Sequence, residues 1–220
     1  MKTVAILSGK GGSGKSTIAL HLAVAAERQG HSVALLDIDP QASSATWADT
    51  RESETPSVTS LQPSRIAKAL ETAKEAGASL AIIDTAPHSA DAAMVAAEAA
   101  DLVLVPCRPG ILDLRAIGST ARIVKLAAKP AFVILNAAPP HAPRLIEDAR
   151  TAVATHGLDV APVVIAQRAA FAHALTVGQT AEEYEPESKA AEEIAALFAS
   201  IRASSEGPVT CLSAQASPRA

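Results

Sequence analysis

Gly9-Lys10-Gly11-Gly12-Ser13-Gly14-Lys15-Ser16-Thr17 follows directly on the apolar run Val4-Ala5-Ile6-Leu7. It is the pattern G-x-x-x-x-G-K-[ST], with a strand-like run before it and a helical stretch after it, the context a phosphate-binding loop requires. Glycines let the backbone curl until its N–H groups converge on an anion. In that setting Gly11, Gly12, Ser13, Gly14 and Thr17 are assigned to nucleotide binding together with Lys15 and Ser16. Lys15 supplies a point charge for the β- and γ-phosphates, and the Ser16 hydroxyl can ligate Mg2+. The helix read from about Ser16 to Gln29 turns its positive end toward the same point. The ligand class is therefore a nucleoside triphosphate with magnesium. Lys10 is not needed for the curl. It stands at the rim of the phosphate site, where it could reach across a subunit boundary, and taken alone it also reads as a solvated surface lysine.

The 220 residues suggest one sizeable domain. Apolar residues make up 49% and aromatic ones only 2%, so the core is expected to be Val, Ile, Leu and Ala, as in a parallel sheet between helix layers. The formal net charge of −4 excludes a global basic field, so DNA binding would need a local patch. Cys107 and Cys211 are far apart and lack metal-ligand spacing. No run approaches the length of a membrane span and no signal peptide is read, so a cytoplasmic location is expected.

Along the chain, strands and helices alternate. Strands are read at Lys2–Ser8, Ser32–Asp37, Leu80–Asp84, Leu102–Pro106, Phe132–Asn136 and Val163–Ala166, with a weak one near Val58. Helices are read at about Pro63–Glu75, Asp91–Ala99, Leu112–Ala127, Pro143–His156 and Ser188–Arg202, with shorter ones at Gln41–Ala48 and Phe171–Val177. This order predicts an α/β fold, a doubly wound, mostly parallel sheet flanked by helices, with its site at the carboxyl ends of the strands. Residues 1–202 are expected to form one domain and 203–220 a disordered tail.

Two further strands end in acid. The first gives Asp37-Ile38-Asp39-Pro40-Gln41. Asp37 is assigned to the magnesium shell and Asp39 to orienting the attacking water, with turn capping ahead of Pro40 as the plainer role for Asp39. The second gives Ile82-Ile83-Asp84-Thr85-Ala86-Pro87, the Walker B pattern, whose acid supports Mg2+. His88, just beyond, reads as a loop residue responsive to nucleotide state. Cys107 and Trp47 read as packing residues. The final helix carries Glu192 and Glu193 on its polar face and is expected to pack back on the domain rather than on a membrane.

The segments at Lys10–Thr17, Asp37–Gln41, Ile83–Pro87 and Leu104-Val105-Pro106-Cys107-Arg108-Pro109 together resemble the deviant Walker ATPases of the ParA/MinD group. Ile165-Ala166-Gln167-Arg168 with Gly178 resembles the small ParF-like ParA partition proteins most closely. The resemblance implies an ATPase with ATP and Mg2+ as cofactors and Lys10, Lys15 and Asp39 as catalytic residues. Lys10 would contact phosphate across a nucleotide-sandwich dimer. Ser16 and Asp84, with Asp37, would serve the metal, and Asn136 would read adenine, unless it is an ordinary polar strand end. It also implies an ATP-dependent homodimer, non-specific DNA binding, nucleoid association, and a centromere-binding or adaptor protein that stimulates hydrolysis. The cargo would be a plasmid, a chromosome or a protein assembly. Arg168 is the single cation singled out for DNA, from a set that also includes Arg115, Arg122, Lys125 and Lys129. The alternative reading is a phosphate-loop metabolic enzyme, a synthetase or kinase with a small-molecule acceptor. A metal-cluster carrier is disfavoured by the lack of clustered cysteines.

Overall fold

The computed structural model describes residues 1–206; the rest of the expected tail, with Cys211, lies outside the described residues. In chain order the elements are β1 (Lys2–Ile6), α1 (Lys15–Arg28), β2 (Val33–Asp37), α2 (Ser43–Thr50), β3 (Ser57–Ser60), a 3-10 turn (Pro63–Arg65) running into α3 (Ile66–Glu75), β4 (Leu80–Asp84), α4 (Ala90–Ala99), β5 (Leu102–Cys107), α5 (Ile111–Ala127), β6 (Ala131–Leu135), α6 (Pro143–Ala154), β7 (Asp159–Val160), α7 (Ala169–Thr176), α8 (Ala181–Tyr184) and α9 (Lys189–Glu206). The last helix thus runs into the stretch expected as tail.

The strands form one sheet in the order β3-β2-β4-β1-β5-β6-β7, and every pairing is parallel. Strands buried on both faces must be apolar throughout, and β5 is buried at each position. Alternate residues then feed two cores. Val4, Ile6, Leu35, Ile82, Leu104 and Ile134 pack with α1 and α9. Ala5, Leu7, Leu36, Ile83, Val105 and Leu135 pack with α4, α5 and α6 on the other face. The alanines of α1 leave it buried almost all round, which lets it sit between the sheet and α9.

The topology explains where a site forms. From β1 the chain passes by α1 to β2 on one side; from β4 it passes by α4 to β5 on the other. The loops after β1 and β4 therefore diverge, leaving a crevice beyond the carboxyl ends of the strands. Register places Ile6 opposite Asp84 and Asp84 opposite Asp37. The two acidic strand ends and the phosphate loop are thus neighbours.

The strand expected at Val163–Ala166 is replaced by the short β7. Pro162 has no N–H to donate, and the chain bulges there. Ala161 N–H donates to Val133 O (2.8 Å), and the next donation in this direction is Ile165 N–H to Leu135 O (2.9 Å). Ala166 keeps only a bridge to Ala138. The weak strand near Val58 is present as β3.

Ala128 closes α5 at φ 52°, ψ 41°, a left-handed conformation that crowds a Cβ. Ala128→Gly is expected to stabilise the chain by about 1 kcal/mol, read as a raised urea midpoint with unchanged slope. A lower midpoint would show that the cap is unstrained.

Candidate nucleotide-binding site

Gly14 starts α1 in the left-handed region (φ 96°), and no side chain caps the helix. The first-turn N–H groups are therefore left to an anion. Glycine is required here twice over: besides the φ, a Cβ would fall 2.1 Å from Asn136 Nδ2. Asn136 Nδ2 donates to Ser13 O at 2.7 Å, so the end of β6 braces the loop from behind. Ser13 Oγ is buried without a partner. Lys15 is only 6% exposed. Burial holds its pKa down, and the nearby carboxylates of Asp84 and Asp39 oppose that.

Asp84 is fully buried. Burial pushes its pKa up to about 6 against the pull of the Ser16 and Ser44 hydroxyls. Its Oδ2 accepts from Ser44 Oγ at 2.8 Å, while Oδ1 has no partner. A buried carboxylate oxygen left bare beside a serine hydroxyl and a lysine is an oxygen-rich setting suited to a hard cation. Magnesium fits Ser16 and Asp84.

Asp37, read from sequence as part of the magnesium shell, accepts at Oδ1 from Asp39 N–H (3.0 Å) and at Oδ2 from Ser44 N–H (2.9 Å) and Ala45 N–H (3.1 Å). Those three donors make it the anchor of the N-terminal end of α2, where a carboxylate offsets the helix dipole. Asp39 is half-buried. Its Oδ1 accepts from Gln41 N–H (2.9 Å), so it caps the turn as its plainer reading held, and it also lies near Lys15.

Lys10, Asn136 and Arg168 each have a partner within the chain. In the single chain Lys10 does not lie on its own loop: Nζ pairs with Asp113 Oδ2 at 2.9 Å and the side chain stays 38% exposed. Asn136 spends its amide N–H on Ser13 O. Arg168 is drawn away from the role given it at DNA, because Glu193 of α9 binds its Nε at 3.1 Å and also its Nη2. That pair braces the 165–168 segment against α9. Cys107 is buried, and burial followed by Asp113 raises its thiol to about 12, which leaves it inert. Ser44 and Asp113 were missed, because a lone serine in a helix and an acid in a helix first turn carry no pattern of their own.

Such a loop, opening a helix beside paired acidic strand ends, defines a phosphate-loop nucleotide-binding protein. The sequence profile of the CobQ/CobB/MinD/ParA nucleotide binding domain matches residues 4–181, and the chain belongs to that family. It is similar to the maintenance of carboxysome distribution protein A of Gloeobacter kilaueensis, 38% identical over 121 residues, 54% of this chain and 55% of that one. It is also similar to protein ParA of Rhizobium radiobacter, 35% identical over 115 residues, 51% of each. The chain thus spans about half the length of the curated relatives it matches. In fold it is like the septum site-determining protein MinD of Pyrococcus horikoshii solved with Mg-ADP (TM-score 0.73, 20% identity, covering 94% of this chain and 99% of that one).

Asp84 and His21 make the nucleotide-free chain respond to pH in opposing ways. Asp84 is raised from 3.8 to about 6, so its stabilising contribution is complete below 3.8 and is lost as pH rises through 6. Keeping it ionised at pH 7 costs about 3 kcal/mol. His21 is fully buried and lowered by burial from 6.5 to about 4; its contribution is complete above 6.5 and is lost as pH falls through 4. Asp84→Asn is expected to be more stable than wild type by about 2 to 3 kcal/mol at pH 7. It is also expected to lose stability on acidification to pH 4.5 more steeply than wild type. Urea titrations at both pH values check this, and equal stability at pH 7 would refute a strained Asp84.

Proposed function

We propose that the chain is a ParA-type ATPase whose ATP-bound form pairs with a second copy, binds DNA without sequence preference, and positions or segregates a cargo. The observation that carries this reading is Lys10. A lysine before the paired glycines, 38% exposed and paired with Asp113 instead of with its own loop, can exchange that surface partner for a second copy's phosphates. In this reading the loop N–H groups and Lys15 hold the triphosphate, and Ser16 and Asp84 hold magnesium, which when bound neutralises charge developing on the phosphates. Asp39, half-buried and near Lys15, orients the attacking water. The Asn136 amide is turned by Ser13 O, so its acceptor Oδ1 remains for an exocyclic amine such as that of adenine. A cavity of about 370 Å³ opens next along the chain, lined by Ala138, Pro139, His141 and Arg168 among others, and supports a place for the nucleoside. A centromere-binding or adaptor protein accelerates hydrolysis, and the chain works in the cytoplasm on the nucleoid.

For DNA we look to α5. Arg115, Arg122 and Lys125 are exposed on α5 and Lys129 follows beyond its end, and none has an ion-pair partner among the described residues. Exposed cations along one helix suit a phosphate backbone.

Light scattering on Asp39→Ala is expected to give a dimer with ATP and a monomer with ADP. Adding Lys10→Ala is expected to abolish the dimer, and a dimer that survives it would remove Lys10 from the mechanism. DNA retention is expected to require ATP, to fall steeply with salt, and to drop about tenfold or more in Arg122→Ala/Lys125→Ala. Retention that is the same with ATP, with ADP and without nucleotide would exclude the DNA reading.

A further inference from the structure

The stretch 49–60 is mostly polar and exposed, yet Arg51 within it makes four side-chain hydrogen bonds. Arg51 follows the last residue of α2 and its side chain is only 6% exposed. Its Nη1 and Nη2 grip the Glu183 carboxylate at 2.8 and 2.6 Å. Nη1 also donates to Gly178 O (3.0 Å) and Nε to Thr55 O (2.7 Å). The guanidinium lies 4.8 Å from the Trp47 ring centroid, and Trp47 Nε1 donates to Gln179 O (3.2 Å). Glu183 in turn closes the capping box of α8 with Thr180. Gly178 sits so close that a Cβ would fall 2.7 Å from Thr50 O. The C-terminal end of α2 is thus clasped to residues 178–183.

The N-terminal end of the same helix is in the site. Asp37 anchors it, Ser44 holds Asp84, and the turn leading into it carries Asp39. That turn passes through Ala42 at φ 49°, a conformation an alanine keeps only when its surroundings enforce it. The far side of the clasp touches the phosphate-loop helix: Ala181 N–H donates to His21 Nε2 (3.0 Å), and His21 Nδ1 donates to Thr17 O (2.7 Å). One short helix therefore spans the clasp and the two acids that act on the γ-phosphate end.

Resting on the ATPase reading above, we infer that Arg51 and Glu183 are positioning residues for hydrolysis. By fixing α2 they hold Ser44 against Asp84 and Asp39 toward the loop, while Lys15 and Ser16 are carried by α1 and Asn136 follows β6. The clasp therefore governs turnover more than affinity.

The test compares wild type, Arg51→Met, Arg51→Lys and Glu183→Gln as full chains. It uses Trp47 emission without nucleotide, affinity for Mg-ADP, and single-turnover hydrolysis of Mg-ATP. Arg51→Met and Glu183→Gln are expected to shift Trp47 emission, to keep Mg-ADP affinity within about threefold, and to slow hydrolysis about tenfold or more. Arg51→Lys is expected to recover part of the rate, since it keeps the charge but not the two-pronged grip. Unchanged hydrolysis in a variant with shifted emission overturns the inference. So does a loss of affinity in step with rate, which marks a brace for the whole fold. If Arg51→Met does not fold, Glu183→Gln decides on the same criteria. A wild type that turns over no ATP sinks the ATPase reading itself, a result distinct from a variant that keeps pace with an active wild type.

Discussion

A carboxylate with one bare oxygen, at the end of a sheet buried on both faces, sets the terms for the rest of this molecule. Asp84 is fully buried, and the protein steadies it with the Ser44 hydroxyl on one oxygen and with Ser16 and Lys15 nearby. Its other oxygen keeps its demand for a positive partner. Burial of an uncompensated charge is costly, and active sites are where such costs persist. The seven-stranded sheet, with its two apolar faces, supplies the stiffness that prevents relaxation.

The same logic organises the neighbours. Lys15 is buried against the acids, and so its own burial penalty is partly offset by theirs. Asp37 is taken up entirely by backbone N–H groups, which turns a second acidic strand end into an anchor for α2. Lys10, one turn of the loop away, is satisfied by Asp113 on α5. Asp37 and Lys10 thus have partners on α2 and α5, while one oxygen of Asp84 is without a protein partner.

Much of this was legible from residue order alone. Parallel strands buried on both faces are continuous apolar runs, and the loop's glycine spacing has few competing explanations, so the sheet, the loop and the acids at the strand ends could all be read. What escaped depends on tertiary neighbours. Alternation along an extended chain separates Asp37 from Asp39, but only the way α2 enters gives Asp37 its three backbone donors. Arg168 looked like a free cation because Glu193 lies 25 residues away on α9. Val163–Ala166 has strand composition, but Pro162 interrupts the ladder just before it. Arg51 sat in a stretch whose polarity spoke for a loop, although its side chain is buried by residues more than 120 positions later.

The hydrogen bond from Asn136 to Ser13 O has a consequence for selectivity. In the proposed binding mode, the amide that meets the base is also a strut of the phosphate loop. Head and tail of one guest are thereby mechanically joined through a single side chain. An ill-suited base would be admitted at the entrance and then gripped loosely at the far end, so discrimination would emerge in how long the guest stays rather than in whether it enters.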